Sequence, residues 1–509
     1  MKEFKSILYD QDISCFSISC NLDFIKDLNL KQIIDVIVSF GKDYDLKEFF
    51  YTPLEDINSI RYRQEILKDL QQQQIFDVVE EFTHGMLQVN RYQKMISKID
   101  YKEYKKIWFL QMSIVYIETI QSLITTLNAL DFHSDGLKLF KKYMQAYIDS
   151  DFFKKFSLEA ILIQKELDSL NYNITIDGIK FSVQRYDDEE DFSKKIKNLF
   201  QKFEDDTRKK HKNEFEKNSS ANHVDAKILE FVFKLYPKEF LKLDSFYQNF
   251  HDFMDKTIQR FSHEVWYYLS YIKFTKEFYE ENLSFCIPRF SDDGSIDVED
   301  GYDLSLARKL LVEKKSIITN SYYLNDKERI LIISGANQGG KSTFARMVGQ
   351  INYLASLGLQ VPAKRAVLCL SRHIYTHFER EEDIKNLRSK LQDDLFRIHQ
   401  ILSKAKQGDL LILNEIFSST SLSDAFFLSK EIMQKIIDDD LFCVWVTFIE
   451  ELSEMNDKTV SMVCEIDHND VKNRTFKIVR KKADGLAYAN SIAKKYHLSF
   501  EQIIQRISQ

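Results

Sequence analysis

Residues 330–344 read Ile-Leu-Ile-Ile-Ser-Gly-Ala-Asn-Gln-Gly-Gly-Lys-Ser-Thr-Phe, an apolar run that passes directly into the spacing G-x-x-x-x-G-K-S. The chemistry this spacing serves is phosphate binding. Gly335 and Gly340 let the backbone curl tightly, so that its N–H groups point at phosphate oxygens beside the positive end of a following helix. Lys341 would then reach the β- and γ-phosphates, and the Ser342 hydroxyl would bind Mg²⁺. Gly335, Ala336, Asn337, Gln338, Gly339, Gly340, Lys341, Ser342 and Thr343 are the candidate nucleotide-binding residues. A chance glycine-rich turn fits the bare pattern, but not the strand-like run before it and the helical stretch after it. ATP or GTP binding is the expectation.

A phosphate-binding loop needs a second strand that carries acidic groups, one for Mg²⁺ and one to polarise the attacking water. Asp409-Leu-Leu-Ile-Leu-Asn-Glu415 has that form, an apolar run ending in a polar pair. Glu415 is the candidate general base, acting with Lys341 in catalysis. Asn414 stands where an aspartate is expected, and as a neutral oxygen ligand it holds a metal less firmly than a carboxylate. Ser342, Asn414 and Glu415 are thus the candidate metal residues. The bland alternative is a buried strand that ends in a polar turn.

The elements that must position these groups follow from composition and period. The chain has 509 residues, enough for two to four domains, with 44% hydrophobic residues and only four prolines and thirteen glycines, a balance that favours long helices. Residues 1–45 carry little pattern. From about Tyr44 to Leu170 apolar residues recur three and four apart, as at Ile57, Ile60 and Leu67 with a polar lapse at Gln64, and Pro53 fits a helix start. Alternation over 173–183 around Asp177-Gly178 predicts a hairpin turning at that pair. From Leu243 to Ile272 the apolar spacing predicts one long amphipathic helix of roughly 50 Å. After Pro288, apolar runs at Ile330–Ile333, Val367–Leu370, Leu410–Leu413, Phe442–Thr447 and Thr475–Val479 alternate with helical stretches, the rhythm of an α/β nucleotide-binding domain.

Charge sets further expectations. The net charge of −7 gives no global pull toward nucleic acid, so a DNA site must be a local patch. Residues 194–217 are the candidate, with Lys194, Lys195, Arg208, Lys209, Lys210 and Lys212 among interspersed Phe. Two readings stand there: a solvated helix face, or an arm that contacts DNA phosphates. The six cysteines show no metal-ligand spacing and read as buried free thiols. No signal peptide and no bilayer-length apolar run is evident, so no membrane partner and a cytoplasmic setting are expected.

These motifs resemble the MutS DNA mismatch-repair ATPases. That family's loop G-P-N-M-G-G-K-S-T stands here as Gly335-Ala-Asn-Gln-Gly-Gly-Lys-Ser-Thr343, and its E-I-G-R-G-T-S as Glu415-Ile-Phe-Ser-Ser-Thr-Ser421. Its F-x-R and R-S-T-F-x-x-E segments are similar to Phe378-Glu-Arg380 and to Arg388-Ser-Lys-Leu-Gln-Asp-Asp394. A-T-H-x-x-E-L looks like Val446-Thr-Phe-Ile-Glu-Glu-Leu452, and Pro53–Arg63 resembles the start of the helical core. The chain departs from the family at Asn414, at Phe448 where the family has histidine, and in the residues around Ser389. Roughly 45 residues before the core do not hold the family's mismatch-reading domain, so the resemblance is to a short MutS-related branch.

The resemblance implies a mixed fold: an all-α lever and core with a small hairpin-containing clamp, followed by an α/β P-loop (ABC-like) ATPase domain. The implied segments are 1–45, a lever over 46–165, a reduced clamp with hairpin and basic arm over 166–224, a second lever part over 225–299, the ATPase domain over 300–484, and a C-terminal helical element over 485–509. It further implies ATP with Mg²⁺ and a homodimer whose ATPase domains pair head to tail, Ser389 with Asp394 completing the partner's loop. Ser389 also reads as a simple exposed helical serine. Asn320 is implied to approach the adenine, and a structural turn asparagine is the other reading. The implied function is an ATP-hydrolysing, DNA-binding clamp on branched or non-standard DNA rather than on mismatches. An ATP-gated scaffold for a protein partner, with little hydrolysis, is the alternative.

Overall fold

Helices in the first seventy residues form along apolar stripes, and an acidic side chain caps the last of them. The computed structural model describes residues 3–10, 23–177, 180–186, 223–325, 327–379, 389–466, 474–482 and 504. The basic run with Lys194, Lys195, Arg208, Lys209, Lys210 and Lys212 lies outside these residues, as does all of the C-terminal element except Ile504. The first helices are α1 (Asp23–Asp27), α2 (Leu30–Ser39), α3 (Lys47–Phe50) and α4 (Ile57–Leu70). Pro53 does not open α4, as the sequence predicts; it lies in the extended lead-in. Asp56 is the cap instead, its carboxylate accepting from Ser59 N at 2.8 Å. The polar lapse at Gln64 has a cause: its amide is buried and donates to Pro288 O at 3.1 Å.

Contacts divide the chain into two compact units: Met1–Phe4 with Gln72–His133 and Leu137–Ser262, and Lys5–Gln71 with Ser134–Gly136 and His263–Gln509. The segments 46–165 and 225–299 each contribute to both. The first unit is helical: α5 (Gln73–Ile96), α6 (Lys102–Asn128), α7 (Asp135–Asp149), α8 (Asp151–Asp168), α9 (His223–Leu235), α10 (Pro237–Phe250) and most of α11 (Lys256–Glu264). Its core is aromatic. Phe140 stacks on Phe261 with centroids 3.5 Å apart, and Phe253 meets Phe109 and Phe156 at 5.5 and 4.7 Å.

Two expectations fail in this unit. The predicted long helix from Leu243 is broken, because Asp255 turns its carboxylate onto Thr257 N and Ile258 N, each 2.9 Å away, and starts a new helix there. The statement that no apolar run reaches bilayer length is also corrected: α6 has 27 residues and is apolar enough by length and composition. Half of its apolar window is buried inside the protein, including Phe109, Met112, Tyr116 and Ile120, as in a core helix. Strands β1 (Tyr172–Asp177) and β2 (Lys180–Arg185) form the expected hairpin. Asp177, the first residue of the predicted Asp-Gly turn, is paired opposite Lys180 at the end of β1, and Gly178 lies outside the described residues.

In the second unit helix α12 (Trp266–Tyr279) precedes β3 (Arg289–Phe290), β4 (Ile296–Gly301), α13 (Leu304–Val312), β5 (Asn320–Leu324), β6 (Ile330–Ser334), α14 (Lys341–Ser356), β7 (Arg365–Leu368), β8 (Ile374–His377), α15 (Lys390–Lys404), β9 (Leu410–Asn414), α16 (Leu422–Asp438), β10 (Phe442–Val446), β11 (Thr459–Ile466) and β12 (Arg474–Arg480). One sheet has the order β12-β11-β6-β10-β9-β8, parallel throughout except for the β11–β12 pair. Its central strands β6, β9 and β10 are buried along their whole length, which is why they read as unbroken apolar runs. A second sheet, β3-β7-β4-β5, takes the predicted strand near Val367 out of the nucleotide sheet.

The N-terminal helices are part of this unit. Leu28 packs so closely on Gly349 of α14 that a Cβ there would lie 2.6 Å from it. Arg346 donates to Asp27 O at 3.1 Å, Gln350 to Leu28 O at 2.9 Å, and Thr376 to the Asp27 carboxylate at 2.7 Å. At the other end of α14, buried Arg63 donates to Leu357 O at 3.1 Å and to Leu8 O at 3.0 Å.

Candidate functional site

Strand β6 ends at Ser334, and the chain turns through 335–340 into α14. The turn needs left-handed backbone at Gly335 (φ 111°) and Gly340 (φ 95°), where a side chain would be strained. Cys464 on β11 packs against the loop from behind, its thiol 3.5 Å from Gly339 O. Helix α14 begins at Lys341 directly after the loop, so its first N–H groups open toward the same space.

Lys341 is only 4% exposed. Its ammonium donates to Gly335 O at 2.8 Å, with Ala336 O at 3.3 Å and Asn337 Oδ1 at 3.4 Å. Glu415 Oε1 lies 4.0 Å away and the Phe448 ring centroid 4.5 Å away. Burial pushes the lysine below its usual pKa, and the Glu415 carboxylate offsets part of that. Burial likewise pushes the Cys464 thiol up, so it is not a ready nucleophile. Cys286, Cys369, Cys443 and Cys464 are free thiols, with Cys443 and Cys464 buried.

The two predicted halves meet. Ser342 Oγ donates to Asn414 Oδ1 at 2.8 Å, which joins the start of α14 to the end of β9. Parallel register with β10 sets Asn414 opposite Val446, and Glu415 N donates to Val446 O at 2.9 Å. Glu415 is held in the left-handed region (φ 55°), as are Gln338, Phe417 and Phe476. Each such residue costs about 1–3 kcal/mol, and strain of this kind gathers where function fixes geometry.

A cavity of about 600 Å³ opens from the loop. Gln338 to Thr343 and Glu415 line its polar end, and Leu306, Leu310, Ile317, Ile318 and Phe476 line an apolar end. The size and division suit a nucleotide, with phosphates on the loop and an apolar wall for a base. Asn320 lines the cavity too, but its amide is engaged: Nδ2 donates to Phe476 O at 3.1 Å and Oδ1 accepts from Ile478 N at 2.8 Å. It braces β5 against β12. The oxygen donors of Ser342, Asn414 and Glu415 fit a hard cation such as Mg²⁺. Among the described residues no group of three or more His, Cys, Asp or Glu gathers elsewhere as a metal site.

Ser389 and Asp394 are not at this loop's cradle in the chain's own contacts. Ser389 caps α15 in a capping box with Gln392. Asp394 is buried and places Oδ1 3.2 Å from His377 Nε2, near enough for an ion pair but not aligned as a hydrogen bond. Sequence reading missed the apolar wall on α13, the Cys464 backing and the Phe448 contact. The Asp303 cap and the apolar spacing Leu304, Ala307 and Leu311 were the available signal for α13, whereas nothing in the local sequence aims Phe448 at Lys341.

Comparison with known proteins matches the region that carries most of this site. Residues 331–506 match the family profile "MutS domain V". The DNA mismatch repair protein MutS of Thermotoga sp. (strain RQ2) is 30% identical over 159 residues, which is 31% of this chain and 20% of that protein. MutS of Thermotoga neapolitana is 28% identical over 196 residues, 38% of this chain and 23% of the relative. MutS of Rickettsia rickettsii is 31% identical over 170 residues, 33% and 19%. The matched stretches therefore span about a fifth of the length of these relatives.

Proposed function

We propose that the chain, whose residues 331–506 match MutS domain V, is a MutS-family, ATP-hydrolysing, DNA-binding protein of repair or recombination. The observation that carries the reading is the meeting of Ser342 with Asn414 at 2.8 Å, beside Lys341 and Glu415 at 4.0 Å. In this reading the loop N–H groups and Lys341 hold the β- and γ-phosphates, and the apolar end of the cavity takes the base. Ser342, Asn414 and Glu415 are the residues that would hold Mg²⁺, which would supply neutralisation of charge on the phosphates. Glu415, strained and at the mouth of the loop, orients the attacking water and takes its proton.

The further proposal is a homodimer closed by ATP, with Ser389 and Asp394 of one copy meeting the loop of the other. Ser389 is exposed at the start of α15, free to be covered by a second copy. DNA of branched or otherwise non-standard structure is the proposed substrate, gripped through phosphates by the clamp and the basic run at 194–217. A cytoplasmic setting belongs to the same reading. The scaffold alternative is favoured by one observation, the neutral Asn414 in the place of a carboxylate.

Phosphate release measured with and without branched DNA tests the reading. Glu415→Gln is expected to keep ATP binding while turnover falls by about a hundredfold or more. Unchanged turnover removes Glu415 as the base, and no turnover in the parent favours the scaffold. Replacing Arg208, Lys209, Lys210 and Lys212 together should weaken DNA binding and flatten its salt dependence by up to about four in slope. Unaltered affinity assigns that run to a solvated face.

A further inference from the structure

Phe448 is a large apolar side chain left 49% exposed on a backbone anchored on both sides. The residue before it is fixed by Thr447 N donating to Ile333 O at 3.0 Å, and the residue after it by Ile449 N donating to Thr447 Oγ1 at 3.1 Å. Ile449 is itself buried in the apolar core of the nucleotide sheet. With its backbone anchored on both sides, Phe448 places its ring centroid 4.5 Å from the Lys341 ammonium.

Besides the Glu415 carboxylate 4.0 Å away, Lys341 therefore has two kinds of partner. The bonds to Gly335 O, Ala336 O and Asn337 Oδ1 are directional, and the ammonium must turn N–H groups away from them to meet a phosphate. Attraction to an aromatic face is not directional in that sense: it depends on the position of the charge and not on where each N–H points. An ammonium that rotates toward phosphate keeps its contact with the ring.

We propose that Phe448 is a positioning residue of the nucleotide site, its π-face fixing the Lys341 ammonium at the loop while the N–H groups are re-aimed from loop carbonyls to phosphate. The proposal rests on the ATP-binding reading above and adds a role for a side chain that cannot donate or accept a hydrogen bond. Because Phe448 acts through Lys341, loss of the ring lowers affinity for the triphosphate and leaves the fold intact.

The test replaces Phe448 with leucine, tyrosine, tryptophan and a series of singly, doubly and triply fluorinated phenylalanines, in the full chain. ATP affinity is read by fluorescence titration with Mg²⁺, melting temperature is recorded for each protein, and the Lys341 side-chain protons are followed by NMR without nucleotide. Phe448→Leu should bind ATP about two- to fivefold more weakly at unchanged melting temperature, with Tyr and Trp restoring it. Affinity should fall stepwise with each fluorine, and the ring-current shift on Lys341 should vanish in the leucine variant. A flat fluorine series in a parent that binds ATP overturns this proposal alone. A parent that takes up no ATP overturns both this and the reading it rests on.

Discussion

The nucleotide loop and the helical unit are stabilised by opposite means. Around Lys341 the contacts are polar and directional, Lys341 to Gly335 O at 2.8 Å and its neighbour Ser342 to Asn414 at 2.8 Å. In the helical unit the centre is a cluster of phenylalanines, Phe109, Phe140, Phe156, Phe253 and Phe261, held by burial and ring contact. Directional bonds fix residue identity, and apolar burial fixes only size and period. Stability and ligand binding should therefore separate cleanly between the two regions.

The largest expected effect is on stability. Phe261→Ala removes a ring stacked on Phe140 at 3.5 Å and should destabilise the helical unit by about 3–5 kcal/mol, read by denaturant unfolding. ATP affinity of the fraction that remains folded should not change; a large loss of affinity breaks the separation. Lys341→Met is the converse. ATP binding should fall by about a hundredfold, since charge-assisted bonds to phosphate are lost, while the melting temperature holds or rises.

The sign of that second effect follows from burial. The folded pKa of Lys341 lies below its unfolded value, so the unfolded chain binds the proton more tightly. This group's contribution therefore opposes folding while it is charged in both states, and stability rises as pH climbs through the folded pKa. A neutral methionine relieves that opposition, and a lowered melting temperature in Lys341→Met would show that its bonds to the loop outweigh desolvation.

The smallest effect sharpens the comparison at a position with two readings. Ser389→Ala removes the cap of α15 and should cost about 1 kcal/mol of stability, with Ser389→Thr keeping most of it. A loss of ATP-driven dimerisation in Ser389→Ala, followed by light scattering and absent in Ser389→Thr, would add a role across the dimer. Loss of stability alone leaves Ser389 as a cap.

Legibility in the sequence followed the same division. Gly335, Gly340, Lys341, Ser342, Asn414 and Glu415 were readable because buried parallel strands leave unbroken apolar runs and phosphate chemistry fixes spacing. The apolar period of the helical unit was readable too, but not its breaks. Asp255 competes for the backbone N–H groups of Thr257 and Ile258 within a stripe that continues past it, so the helix ends where the period does not. Asp56 displaced Pro53 as a helix start by the same kind of local bond. The β3-β7-β4-β5 sheet was missed because its strands are short and pair across long stretches of chain. The contact of Phe448 with Lys341 arises only when β10 and β6 align, and no local pattern encodes it.

The close approach of Leu28 to Gly349 carries a practical consequence for dissecting this molecule. Asp27 and Arg346 are joined across 319 positions of chain, so the stretch that matches domain V does not bring its own roof. A piece excised at residue 331 would keep the whole loop and yet bare the flank of α14 that Leu28 seals at Gly349 and Phe24 at Tyr353. Whatever seizes the opening turns of that helix also leans on residues 24–28, so stretches some three hundred positions apart answer as one structural unit.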